Sequence, residues 1–390
     1  MNEIVEQANL LYEFTRYLRQ DFHRHPELGF KEYRTAGIIA RELGQMGLEV
    51  HTGVAATGVV GLLEGAHPGP VVLVRFDMDA LPVTEETGAP YASETPGIMH
   101  ACGHDGHIAI GLSTAKILQE FRGRLHGTVK FVFQPAEEGL GGAERMIAEG
   151  VLRDPAPQTC VSMHLWNEKP VGWYGIRPGP LMAGADTFRL TLTGKGGHGA
   201  LPHQAVDPVA AAAQIITALQ TIVSRNLSPL ESAVVTVATV RAGEAFNVIP
   251  QTAELTGTIR SFDAAIREKI VERMNEIVVG VAGAMGCEAS LDIQKITPPV
   301  ISDAKVAQTV ADVMLEMYPT EHLEANCMSM VSEDMSFIMQ HVPGCYFLVG
   351  SANPEKGLCY GHHHPKFDFD DAALPKAAAL MAGVVLRLLQ

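Results

Sequence analysis

The chain has 390 residues, 47% hydrophobic and 19% charged, with 29 Lys+Arg against 44 Asp+Glu and a formal net charge of −15. At about 100–200 residues per domain this length predicts two or three domains with ample chain to bury a core, and the composition excludes a disordered chain. The acidic balance repels phosphate backbones and excludes nucleic acid as a natural partner, so an anionic substrate needs a local cation to reach the surface.

The N-terminal stretch MNEIVEQANLLYEFTRYLRQ has acidic residues where a secretory signal needs a basic start and an apolar core. No apolar run reaches the ~18 residues of a membrane span. The cysteines, at 102, 160, 287, 327, 345 and 359, are scattered and none forms a CxxC pair. That usage suits free thiols in a reducing compartment, and a cytoplasmic location is expected. Residues 3–24 read as one amphipathic helix ended by His25-Pro26, with HRHPE (23–27) as a helix end and Pro turn. A second helix is predicted over 33–46. PVVLVRF (70–76) is a continuous apolar run, the mark of a strand buried on both faces. A helix over 106–121, with Asp105 at its N-cap, leads to the strand TVKFVF (128–133). A helix over 142–152 and the strand TCVSMHLW (159–166) follow. Strands alternating with helices predict an α/β fold with a mostly parallel sheet flanked by helices.

From residue 186 the rhythm changes. Strands over 186–194, 232–243, 252–262 and 287–296 alternate with helices over 205–225 and 263–285. The order is βαββαβ, the ferredoxin-like pattern. It predicts an inserted domain at 186–296 within a catalytic domain formed by 1–185 and 297–390. After TPPVI (297–301) come a helix near 303–318, the strand CYFLVGS (345–351) and a last helix from 371.

The ends of the first-domain strands carry the polar residues. Strand 70–76 runs into Asp77 and Asp79, strand 128–133 into QPAEE (134–138), and strand 159–163 into His164. Ligands of open α/β sheets bind at such carboxyl ends. Cys102 and His104, in the turn HACGHDGH, can ligate one metal or bridge two; the ordinary alternative is a buried thiol and a helix-capping histidine. Glu137 and Glu138 are adjacent carboxylates that point in different directions. One can bind a metal while the other serves as a free base, as metal-assisted hydrolysis requires; a solvated acidic loop is the commoner meaning of such a pair. GHHHP (361–365) adds three histidines after strand 345–351, otherwise a polar loop. A donor set of His, Glu and one thiolate suits zinc, cobalt, manganese or nickel and disfavours magnesium or calcium.

Eight blocks in order resemble one family: HRHPELGFKE (23–32), RFDMDALPV (75–83), MHACGHDGH (99–107), FQPAEEGLGGA (133–143), GGHGALPHQAVDP (196–208), FNVIP (246–250), GTIRSFD (257–263) and HHPKFDFDD (363–371). Over nearly the whole length the chain resembles the co-catalytic metal amidohydrolases of the aminoacylase and carboxypeptidase superfamily. Its nearest branch is that of hippurate hydrolases, N-acyl-amino-acid amidohydrolases and auxin-conjugate hydrolases. The resemblance implies a zinc-exopeptidase-like catalytic domain, a homodimer or higher homo-oligomer, and two divalent metal ions per chain, zinc first, with manganese, cobalt or nickel as alternatives. It implies a Cys102 thiolate between the two ions, with His104, Glu138, His164 and His363 completing the ligands. Asp79 then orients a ligand, and Asp77 stands where other branches carry a metal-binding histidine. By the same resemblance Glu137 is the base that takes a proton from water, His198 stabilises the oxyanion, Arg260 holds a substrate carboxylate and Asn247 hydrogen-bonds the substrate.

The implied reaction is hydrolysis of the amide bond of an N-acyl amino acid or short peptide. Other enzymes of the superfamily are alternatives: a dipeptidase, a carboxypeptidase or a deacetylase of an N-acetylated diamino acid. A catalytically silent metal- or ligand-binding protein is a reading of another class, and it predicts loss of Glu137 or of a ligand.

Overall fold

A computed structural model describes residues 1–390. The chain forms two compact units. The first comprises Met1–Leu181, Ile301–Cys327 and Asp334–Gln390, the second Met182–Val300 and Met328–Glu333. The changeovers thus fall a few residues outside 185 and 297, and a short later segment, Met328–Glu333, joins the second unit.

In chain order the first unit contains α1 (Asn2–Leu10), α2 (Tyr12–Arg24), α3 (Tyr33–Gln45), β1 (Glu49–Val54), β2 (Gly58–Glu64), β3 (His67–Asp77), α4 (His104–Glu120), β4 (His126–Gln134), α5 (Gly142–Ala148), β5 (Thr159–Pro170) and β6 (Trp173–Gly175). The second contains β7 (Gly184–Thr193), α6 (Pro208–Thr221), β8 (Ala233–Ala242), β9 (Thr252–Ser261), α7 (Ala264–Ala284) and β10 (Glu288–Thr297). The first unit resumes with α8 (Ala304–Met317), β11 (His322–Glu324), α9 (Met335–Met339), β12 (Gly344–Ala352) and α10 (Ala373–Leu388).

The first unit is built on an eight-stranded sheet of order β1-β2-β4-β3-β5-β12-β6-β11. The central strands β4, β3, β5 and β12 run parallel, while β1 and β2 form an antiparallel margin. Parallel strands are covered on both faces; every residue of β12 is buried, as is β3 from Val71 onward. α4 is buried nearly all round, among Phe76, Phe133 and α10. Such a helix reads as apolar on every side rather than amphipathic.

The second unit has a four-stranded antiparallel sheet of order β8-β9-β7-β10. Its connectivity, β7-α6-β8-β9-α7-β10, is the ferredoxin-like order. Asp207 and Asp263 cap α6 and α7 through their side chains, each accepting two backbone N–H bonds. Leu190, Leu192, Ile215, Leu255, Ile270 and Met274 form its core.

Two local expectations need correction, and one hairpin was unforeseen. Residues 3–24 are two helices broken at Leu11, because α1 packs on α10 while α2 packs on α4, and the chain bends to follow two partners. The β1–β2 hairpin carries no sequence signal, since its turn places Ala55 and Ala56 at φ 51° and 74° where glycine or asparagine is usual. Asp105 is not the N-cap of α4. That position is Gly103, at φ 94°, a left-handed conformation glycine adopts without strain. Asp105 instead lies in the first turn, fully buried. No helix is long and apolar enough to cross a membrane.

Candidate metal centre and general base

Two parallel strands, β3 and β4, end at one edge of the first-unit sheet, and β5 runs on past it to Pro170; each delivers a polar group there. β3 ends at Asp77 and leads to Asp79; β4 ends at Gln134 and leads to Glu137 and Glu138; β5 carries His164. Gly103 turns the chain so that α4 opens with His104, two residues after Cys102.

Cys102, His104 and His164 form one group, and Cys102, Glu138 and His363 a second; within each, all donor atoms lie within 4.8 Å of one another. Cys102 belongs to both. Its Sγ is 3.4 Å from His164 Nε2. The carboxylate of Glu138 reaches His363, with Oε1 3.2 Å from Nε2. A third group joins His104, Glu137 and Glu138.

The donor set fits a metal. His104 Nδ1 lies 2.9 Å from the Asp79 carbonyl, and His164 Nδ1 lies 2.6 Å from the Leu165 carbonyl. Both contacts require a proton on Nδ1, which leaves Nε2 as a lone pair facing the cluster. Metal-bound histidines are held in this way. His104 Nε2 is buried and makes no hydrogen bond. A buried polar atom without a partner costs about 1–3 kcal/mol, and a cation removes that cost. Burial and neighbouring histidines push His164 well below the usual imidazole range, so it is neutral as a ligand must be. Burial would push His104 down as well, but Asp77 and Cys102 outweigh it and hold His104 well up. Hydrogen bonds to Cys102 and Glu138 raise His363 to about 10. Surroundings that draw protons this strongly draw a divalent cation for the same electrostatic reason. Burial and the Glu138 carboxylate push the Cys102 thiol up, a balance that a bound cation inverts.

Of the three histidines in GHHHP only His363 points to the cluster. His362 Nε2 lies 2.9 Å from the Leu165 carbonyl. His364 is exposed, stacks on Tyr360 and accepts the Lys366 N–H. His363 takes φ 66°, and its N–H donates to the Ala101 carbonyl at 2.7 Å, which turns its side chain toward Glu138.

Asp77, His104 and His107 are also close together. That trio does not suit a metal. The Leu165 N–H donates to His107 Nε2 at 3.0 Å, and His107 Nδ1 is 2.6 Å from Asp77. Both ring nitrogens are engaged. Asp77 also receives Arg75 at 2.8 Å, and its carboxyl is held well below the usual range: burial pushes it up, but His104, His107 and Arg75 outweigh that.

Asp79 holds two pieces of the site. Its carbonyl takes His104, and its Oδ2 accepts the Glu138 N–H at 3.0 Å. Glu137 is half-buried, and its Oε1 accepts the Asp334 N–H at 3.4 Å.

Sequence reasoning missed Arg75, His107 and Asp334. Arg75 is fully buried and binds Asp77, Gln134 and Asp334. The one signal for it was a lone arginine inside an apolar strand; for Asp334 it was a pair of acids, Glu333-Asp334, before the apolar helix α9.

In the second unit His198 lies on a two-residue strand paired with Val248–Ile249 and is exposed. Its Nδ1 accepts the Ala200 N–H at 3.0 Å, so Nε2 carries the proton in the neutral ring. The Asn247 carbonyl accepts the Gly199 N–H at 2.8 Å, which fixes the same turn. Arg260, on β9, is half-buried and donates from Nη1 to Ser332 Oγ at 3.0 Å.

Comparison with known proteins agrees with this geometry. The profile of peptidase family M20/M25/M40 matches residues 73–387. N-acetylcysteine deacetylase of Bacillus subtilis (strain 168) is 38% identical over 96% of this chain and 96% of its own. IAA-amino acid hydrolase ILR1-like 4 of Arabidopsis thaliana is 37% identical over 99% of this chain and 88% of its own. Among solved structures, the Bacillus subtilis YXEP protein, described as a dinuclear metal binding peptidase from the M20 family, superposes with a TM-score of 0.86 at 34% identity, covering 98% of this chain and 99% of that one. Profile, relatives and fold agree: the chain belongs to peptidase family M20/M25/M40 and is a metal-dependent amidohydrolase.

Proposed function

We propose that the enzyme hydrolyses the amide bond of N-acyl amino acids, releasing a carboxylate and a free amino acid. The observation that carries this reading is the Cys102 thiol shared by two donor groups, with the Glu137 carboxylate beside them. Cys102, His104 and His164 would hold one divalent ion and Cys102, Glu138 and His363 a second. The thiolate and imidazoles favour zinc, with manganese, cobalt or nickel as alternatives. Such ions, when bound, polarise a carbonyl oxygen and acidify water.

The chain's own residues supply the rest. Glu137 takes a proton from the attacking water and passes it to the leaving amine nitrogen, while the Asp334 N–H fixes its Oε1. Asp79 holds His104 and Glu138 at their working angles. His198 donates from Nε2 to the developing oxyanion. Arg260 offers a planar fork to the substrate carboxylate, a local cation on a chain of net charge −15. Asn247 hydrogen-bonds the substrate. N-acetylcysteine deacetylase and IAA-amino acid hydrolase are each named for a substituted amino acid that they cleave, which supports the same substrate class here. A cytoplasmic homo-oligomer, a dimer or larger, belongs to the same proposal.

The test is turnover of a panel on metal-free enzyme reconstituted with zinc, manganese, cobalt or nickel. The panel holds N-acetyl, N-benzoyl and indole-acetyl amino acids, dipeptides, and the carboxamides of each. Metal-restored cleavage of N-acyl amino acids bearing a free carboxylate is expected. Cleavage of dipeptides alone would assign a dipeptidase instead.

A further inference from the structure

Glu32 stands immediately before α3, at the position where a short polar side chain ordinarily caps the helix. It makes no capping bond. Glu27 does that work, accepting the N–H groups of Arg34 and Thr35 at 3.0 and 2.9 Å. The Glu32 side chain turns inward and is fully buried. Its Oε1 accepts the Ala136 N–H at 3.0 Å, and its Oε2 accepts the Thr57 hydroxyl at 2.5 Å.

Ala136 is the residue before Glu137, and it takes φ 57°. A non-glycine residue persists there only where its surroundings over-determine it. Three contacts do so. Glu32 holds its N–H; its carbonyl accepts the Gly142 N–H at 3.1 Å; and Gly29 lies so close that a Cβ there would come within 3.0 Å of Ala136 Cα. On the other side of Glu137, the Glu138 N–H is held by Asp79 at 3.0 Å. The backbone on both sides of Glu137 is therefore gripped by a buried carboxylate. Burial of a carboxylate is unfavourable unless it is hydrogen-bonded, and both oxygens of Glu32 are so held, one of them by the Ala136 N–H.

We infer that Glu32 is a positioning residue for Glu137: by fixing Ala136 in its left-handed turn it sets the direction in which the Glu137 carboxylate leaves the backbone. The inference rests on the proposed role of Glu137 as base. Glu32 touches no reacting atom, and its influence passes wholly through the turn 135–138.

The experiment compares wild type, Glu32→Ala, Glu32→Gln and Glu137→Gln in kcat, KM and metal content, with the best-cleaved N-acetyl amino acid as substrate. Misplacement of a catalytic group by about 1 Å costs about 10²-fold, so Glu32→Ala is expected to lose kcat by about that factor with KM and metal content unchanged. Glu32→Gln keeps an oxygen for the Ala136 N–H and is expected to restore most of the kcat. Wild-type kcat in folded Glu32→Ala overturns the inference, as does a loss matched by loss of metal, or Glu32→Gln as damaged as Glu32→Ala. Where Glu32→Ala does not fold, Thr57→Val decides. It frees one oxygen of Glu32 at little change in shape; a lowered kcat with intact metal and KM is expected, and wild-type kcat overturns the inference. Glu137→Gln separates the two levels. If it turns over like wild type, the reading of the base falls and the inference with it. If it is inactive while folded Glu32→Ala is normal, the Glu32 inference alone falls.

Discussion

Arg75 and Asp334 lie 259 residues apart in the chain and meet at 2.8 Å with both side chains buried. Asp334 also accepts from Gln134 Nε2 and from the Ala143 N–H, while its own N–H donates to Glu137. Arg75 in turn holds Asp77 and Gln134. One ion pair thus ties the support of His107 to the support of Glu137, the proposed base.

Removing one partner of a buried pair leaves the other charge uncompensated, at a cost of about 3–5 kcal/mol. Asp334→Ala should lower the unfolding free energy of the first unit, read from its denaturant transition, by an amount in that range. Both tryptophans, Trp166 and Trp173, belong to this unit and report its unfolding. The double variant Arg75→Met/Asp334→Leu should be less destabilised than the single one. An unchanged midpoint in Asp334→Ala would show that the network adds little.

Cys102→Ala takes a donor from both groups at once. Elemental analysis after dialysis should find fewer than two ions per chain, and turnover should fall in step. His107→Gln is the contrast, because both ring nitrogens of His107 are engaged by protein. It should keep its metal far better than Cys102→Ala. Equal metal loss in the two variants would undo the assignment of donors.

Glu137→Gln keeps the size of the side chain and removes its basicity. General acid–base help is worth about 10²–10⁴-fold, and turnover should drop by at least that much while metal content stays at the wild-type level. Normal turnover would assign the base elsewhere.

Arg260→Ala should impair cleavage of N-acyl amino acids bearing a free carboxylate while leaving the slower cleavage of their carboxamides nearly unchanged. The check is kcat/KM on each matched pair. Equal losses on both members would mean that the arginine does not read the carboxylate.

His23 sets a pH dependence of stability. It is fully buried, with Nδ1 2.8 Å from Asp105 and Nε2 3.3 Å from Glu85. Burial pulls its imidazole down, but Asp105 and Glu85 outweigh burial and raise it from 6.5 to about 9. A group whose folded value is raised stabilises fully below its unfolded value, and the stabilisation is lost as pH rises through the folded one. Wild type should therefore lose stability relative to His23→Gln between pH 6.5 and about 9. Thermal unfolding at a series of pH values checks this, and parallel curves for the two proteins would refute it.

Much of the centre was legible because apolar strands end abruptly in polar residues. PVVLVRF before Asp77 and Asp79, and TVKFVF before QPAEE, point to one sheet edge by topology alone. What stayed hidden is held by long-range partners. Arg75 sits inside an apolar run, and nothing local says that its charge meets Asp334. HRHPE reads as a helix end and a turn; α2 does end at Arg24, yet His23 reaches Asp105 and Glu85, and Glu27 caps α3. The β1–β2 turn escaped because Ala55 and Ala56 occupy a conformation for which alanine gives no signal. Asp105 looked like a cap because a polar residue near a helix start usually is one, while the glycine two places earlier serves instead.

The chain passes into and out of the second unit through strands that lie side by side: β7 pairs with β10, Ala185 opposite Thr297. An insertion whose two ends are neighbours leaves its host's chain path almost undisturbed. A lineage can lengthen, trim or exchange the module between them without rerouting the strands that carry Asp79, Glu138 and His164. The chain path of the host sheet and the length of the inserted module can therefore change independently of one another.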